Sequence, residues 1–132
     1  MTLRMAVVAA GMAMAGVVAQ AHHSIAVVYD DSKEATVEGV VTRFRFTSLH
    51  PFVELTDVRT AQSWHLEMDN RGELAHIGFT ADTLKPNDRL VVTGSLARRE
   101  AHRMYIRRLT RPADGFAYEQ VGGTPRLRAR PE

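Results

Sequence analysis

Apolar and polar residues alternate with a period of two through most of residues 36–110, a period that belongs to half-buried strands and not to helices. Residues 36–46 (TVEGVVTRFRF) carry the most constraining version of it. Val37, Gly39 and Val41 share one parity, whereas Phe44 and Phe46 share the other. A strand that changes parity keeps both sets on one face only if an extra residue is inserted, so a bulge is expected near Thr42 and Arg43, with Gly39 where the strand coils tightly.

Further strands are expected over 52–58, with Val53 and Leu55 on one face, over 63–69, with Trp64, Leu66 and Met68 inward, over 89–97 and over 104–110. Between the third and fourth the period turns helical. Asn70 with Glu73 resembles a capping box, Leu74 and Ile77 share a face, and Gly78 is a stop. Thr80 is expected to cap a second short turn through Leu84, and Lys85-Pro86-Asn87-Asp88 reads as a turn. Five short strands with one helix between strands 3 and 4 is the order of a small OB-fold-like barrel, so the fold class is mainly β; an open meander with the helix on one face is the alternative. Residues 117–132 are rich in Gly, Pro and Arg and are expected to form a disordered tail.

The first residues follow another logic. Arg4, an uncharged apolar run from Ala6 to Ala19 and the small-x-small sequence Ala19-Gln20-Ala21 have the order of a secretory signal. Residues 1–21 are expected to be cleaved between Ala21 and His22, giving a periplasmic or secreted protein with no stable membrane insertion afterwards. The expected organisation is therefore a signal peptide (1–21), an N-terminal arm (22–35), one OB-fold-like domain (36–116) and a tail (117–132). Loss of Arg4 alone from the charged residues lowers the net charge from +2 to +1, too little for a general grip on nucleic acid. The absence of cysteine removes disulfides, thiolate metal sites and a cysteine nucleophile. No serine lies in a nucleophile motif and no glycine-rich phosphate loop follows a strand, so a hydrolase or transferase is not expected; an oxidative copper enzyme ranks last, because no substrate platform is evident.

Cleavage would free an α-amine on His22, the residue that also carries an imidazole. Amine and ring Nδ1 can close a chelate around one metal ion, and a third nitrogen would complete a T-shaped, tetragonal set that suits Cu(II) better than zinc. His50, fixed by Pro51, is the candidate third ligand; His23 and His65 are accessory candidates, and Asp30 or Asp31 could add an oxygen. Trp64 and Met68 read as core rather than as Cu(I) ligands, because His65 projects from the opposite face. The basic residues around Arg98–Arg103 read as a solvated rim. Copper storage, delivery or tolerance is the expected role. The competing expectation is a metal-free module that holds a peptide, glycan or small ligand on a face around Phe44, Phe46 and Phe52; a protein partner is not specified by the sequence.

Ala21-His22-His23-Ser24, Val37-Glu38-Gly39-Val40-Val41, Trp64, Leu84-Lys85-Pro86-Asn87-Asp88, Val92-Thr93-Gly94 and Pro112-Ala113-Asp114-Gly115 follow one another in an order that resembles a family of small exported bacterial proteins of unknown function. Such proteins carry Asn-Pro-His where this chain has Ser48-Leu49-His50, and a turn glycine at Asn87. The resemblance implies the fold and export, and it places His22, His23 and His50 in a recurring pattern.

Overall fold

The computed structural model describes residues 25–128. Residues 25–28 are helical and lead into β1 (Tyr29–Arg45), which is long enough to pair with different strands along its two halves. It is followed by β2 (Phe52–Asp57), β3 (Ser63–Glu67), the short helix α1 (Arg71–His76), β4 (Arg89–Ala97), β5 (Arg103–Arg111), β6 (Phe116–Val121) and β7 (Thr124–Leu127). All form one mainly antiparallel sheet in the order β3-β2-β1-β4-β5-β6-β7. One further pairing runs parallel: His65, Leu66 and Glu67 of β3 lie against Arg103, Met104 and Tyr105 of β5. The pairings among β1 to β5 therefore return to their starting strand, and β6 and β7 extend outward from β5.

The expected bulge lies between Val41 and Arg43, where the β1–β2 register shifts. It lets Val37 and Val41 before it, and Phe44 and Phe46 after it, all pack on the core. Gly39 pairs with Asp57 on one side and Leu90 on the other. A Cβ there would stand 2.1 Å from Leu55 Cδ2 and 2.5 Å from the Thr56 oxygen, so only glycine permits the close approach of β2.

Alternate residues of the strands supply the interior: Val53, Leu55, Leu66, Leu90, Val92, Met104, Ile106 and Leu109 are buried. Full burial of such side chains stabilises by roughly 1.5–3 kcal/mol each before entropy is counted. Leu74 of α1, with Phe79 and Leu84 beyond it, adds to the same core. The Asn70 side chain caps α1 by accepting from the Gly72 amide, and Gly78, at φ +107°, ends the helical segment. Asn87 adopts φ 74° where a glycine would be usual.

Two expectations need correction. The arm does not extend to residue 35: Tyr29 is buried and pairs with Ala97, so β1 begins there. The polar run Asp30–Glu34 hides the strand because three residues loop out between Asp30, opposite Leu96, and Glu34, opposite Ser95. The tail is not disordered from residue 117. β6 and β7 form a hairpin, Tyr118 enters the core beside Phe79, and the arginines that resemble a disordered tail in composition face Glu119 (Arg126 and Arg128). Trp64 packs on the core as expected, half-buried and T-shaped against the His102 ring. Among the described residues, no helix is long and apolar enough to cross a membrane.

Candidate functional site

His50 sits in the link between β1 and β2, and main-chain bonds tie this link to the end of β3. The Met68 amide donates to the Pro51 oxygen at 2.8 Å, and the Arg71 amide donates to the Leu49 oxygen at 3.0 Å. Between these two bonds, His50 Nδ1 lies 2.9 Å from the Met68 oxygen. A carbonyl oxygen can only accept, so Nδ1 carries a proton, and in a neutral ring Nε2 is the nitrogen with the lone pair. His50 Nε2 is buried and has no hydrogen-bond partner among the described residues. An imidazole locked through Nδ1 to a carbonyl, with Nε2 left open, is the state in which histidine binds metals.

His50 lines a cavity of about 610 Å³ together with Ile25, Ala26, Asp31, Leu49, Asp69, Asn70, Glu73, Tyr105, Arg107 and Gln120, among others. One hydrogen-bond network holds much of its wall. Asp69, 5% exposed, accepts from the Asn70 amide at 2.7 Å and from Gln120 Nε2 at 2.6 Å. Gln120 Nε2 also lies 2.9 Å from the Tyr105 hydroxyl. Arg107 donates to Gln120 Oε1 at 2.6 Å, to Ser95 Oγ at 3.1 Å and to Asp31 Oδ1, and its guanidinium covers the Tyr105 ring.

Burial pushes the Tyr105 hydroxyl well above its ordinary pKa, and the nearby Asp69 carboxylate pushes it the same way. For Asp31, burial acts upward, but hydrogen bonds from Ser95 and Arg107 outweigh it and hold the carboxyl below the usual range. Among the described residues, three carboxylates and one guanidinium line the cavity, and the guanidinium is already engaged by Asp31, so this wall favours a cationic occupant.

The candidate residues are distributed unevenly. Ala21, His22 and His23 lie outside the described residues. Ile25, three positions after His22, is in the cavity wall with His50, and three residues of chain span at most about 10 Å. Asp31 lines the same cavity, whereas Asp30 pairs with Arg98 and Lys33. His65 is not brought to His50. It stacks on Phe52 at 4.7 Å and lines a separate cavity of about 360 Å³ with Trp64 and His102.

The three phenylalanines do not share a face. Phe44 and Phe46 pack against the core, but Phe52 pairs with Arg45, the residue between them, and therefore projects from the other side of the sheet. Among the described residues, no group of three or more His, Asp or Glu side chains is placed to hold a metal ion.

Sequence reasoning missed Asp69, Tyr105, Arg107 and Gln120. Asp69 follows directly on the inward-facing Met68, so strand alternation points its side chain outward and hides its burial. Gln120 was hidden by the composition of the C-terminal residues, and nothing in the sequence alone joins Tyr105 and Arg107 to it.

A family model described as "Family of unknown function (DUF6152)" matches residues 9–105. No curated protein matches the chain. Among solved structures, the chain is similar to the crystal structure of the ZRD-deleted mutant of TiaS in complex with agmatine, with 14% identity and a TM-score of 0.47. That likeness covers 77% of this chain and 27% of the other, so this chain spans about a quarter of that structure's length.

Proposed function

The chain belongs to the DUF6152 family of unknown function, and we propose that it is an exported, periplasmic copper-binding protein built on an OB-like barrel formed by β1 to β5. Copper is held by the amine and imidazole of His22, freed by signal cleavage, with His50 Nε2 as third ligand. His23 offers a second mode through its own ring, and Asp31 can add an oxygen. The bound ion supplies no reaction in this reading: the role is storage, delivery or tolerance.

One observation carries the proposal: His50 Nε2 is buried and unpartnered among the described residues, the ring is held through Nδ1, and His50 lines a cavity whose wall also includes Ile25. Net acidity of the wall supports a cation, and an amine with a pKa of about 7.7–8.0 gives up its proton near neutral pH. His65 no longer belongs in the ligand set, since it faces a different cavity. The alternative role, an aromatic ligand face, is weakened by the split between Phe44 with Phe46 and Phe52.

The test is a Cu(II) titration of protein beginning at His22 beside the same protein with one alanine added before His22. The added residue should weaken binding by more than about ten-fold, or 1.4 kcal/mol. Equal affinities would remove the amine from the ligand set.

A further inference from the structure

Beside His50, the same cavity holds a second group whose hydrogen-bonding capacity is not used up. Arg107 can only donate, and its Nη1 lies 2.6 Å from the Gln120 side chain, so the Gln120 oxygen faces Arg107 and the amide nitrogen faces the other way. That nitrogen carries two hydrogens. One goes to Asp69 Oδ2 at 2.6 Å and the other to the Tyr105 oxygen at 2.9 Å. The Tyr105 hydroxyl therefore accepts from Gln120, and its own proton has no acceptor among the described residues. Burial raises the pKa of this hydroxyl, so the proton stays on it at neutral pH.

The wall thus offers one spare donor on a residue only 2% exposed, the Tyr105 O–H, and one buried acceptor, Nε2 of a neutral His50 ring. Water fills a polar space of this kind when nothing else does, and a ligand that displaces it must reproduce both bonds. The volume, about 610 Å³, is that of a small-molecule site. Each Asp69 oxygen already accepts one N–H and keeps a further lone pair, which adds a charged acceptor. Ile25, Ala26 and Leu49 give an apolar portion of an occupant something to cover.

We propose that this cavity binds a small primary amine that also carries a neutral oxygen acceptor: the ammonium donates to His50 Nε2 and the Asp69 carboxylate, and the oxygen accepts from the Tyr105 hydroxyl. A carboxylate in place of the neutral oxygen would meet repulsion from Asp31, Asp69 and Glu73 in the same wall. The proposal uses no atom of residues 1–24 and no metal, so it stands apart from the copper reading. Both occupants need His50 Nε2, and the test is therefore made on metal-free protein.

Leucinamide, with an ammonium, an amide oxygen and an isobutyl group, is the probe. N-acetyl-leucinamide lacks the cation, and isoamylamine lacks the oxygen. Leucinamide should bind about ten-fold more tightly than N-acetyl-leucinamide, for a charge-assisted hydrogen bond, and about five-fold more tightly than isoamylamine, for a neutral one. Tyr105→Phe should remove the advantage over isoamylamine and leave isoamylamine binding as in the parent. In nitrogen-resolved magnetic resonance spectra of the parent's imidazoles, the His50 Nε2 signal should move on leucinamide binding. The His65 and His102 ring signals, from the other cavity, should stay in place.

Equal binding of the three probes, or an unmoved His50 Nε2 signal, would overturn the proposal, and so would an equal loss of both amines in Tyr105→Phe. The alanine-extended protein should bind leucinamide like the protein beginning at His22. Failure of copper to bind would leave this site standing, and failure of leucinamide would leave the copper titration to be judged by itself.

Discussion

His50 Nδ1 lies 2.9 Å from the main-chain oxygen of Met68, and this contact decides which nitrogen of the ring is left to bind anything else. Met68 is itself tied to Pro51 through its amide, so the ring is held by a strand end and not by a mobile loop side chain. A histidine serving only as a loop tie would need nothing at Nε2 beyond solvent, yet this atom is buried.

Copper affinity should rise with pH between about 6 and 8, because the ion must displace protons from an imidazole with a reference pKa near 6.5 and an α-amine near 7.7–8.0. Competition titrations at three pH values across that window measure the slope. In the alanine-extended protein the chelate at His22 is absent, so the rise should be smaller.

The two tyrosine substitutions at position 118 should behave oppositely. Tyr118 is 1% exposed and its hydroxyl, buried, has no partner among the described residues. Tyr118→Phe removes an unsatisfied polar group and should be neutral or slightly stabilising, whereas Tyr118→Ala should cost about 3–5 kcal/mol through the cavity left beside Phe79. Thermal or urea unfolding of both variants gives the comparison. Truncation before Phe116 should be at least as damaging as Tyr118→Ala.

That contrast marks where the sequence stops being informative. The β1 bulge, the helix stop at Gly78, the turn at Asn87 and strand β4 over 89–97 are set by local chemistry and period, and each was legible. The β6–β7 hairpin was not, because its stability comes from one buried tyrosine and cross-strand pairs of Arg126 and Arg128 with Glu119, which composition cannot see. His50 was legible as a fixed histidine beside Pro51. The wall around it was not, since Asp31, Asp69, Arg107 and Gln120 come from four separate stretches that meet only through sheet order.

Gly39→Ala and Gly94→Ala should each destabilise the domain by about 1–3 kcal/mol, the usual range for overpacking. The reason is main-chain crowding: a new Cβ would lie 2.5 Å from the Thr56 oxygen at the first position and 2.2 Å from the Tyr105 oxygen at the second. Gly94 should be the more revealing of the two, because separation of β4 from Tyr105 also disturbs the cavity wall. Loss of copper affinity alongside the lower unfolding temperature would register that disturbance.

Acid should weaken the fold in part through Asp31. Its carboxyl is held below the unfolded value near 3.9 despite the opposing effect of burial, by hydrogen bonds from Ser95 and Arg107. Its contribution to stability is therefore complete above about pH 4 and is lost as pH falls through the lower folded-state value. Asp31→Asn should make the fall of unfolding temperature between about pH 4 and pH 2 shallower than in the parent protein.

Electron paramagnetic resonance of the Cu(II)-loaded protein beginning at His22, recorded for the parent and for His50→Gln, addresses the ligand set directly. The account predicts coupling to three nitrogens in the parent and loss of one, with shifted g-values, in His50→Gln. Identical spectra from the two proteins would show that copper never meets His50.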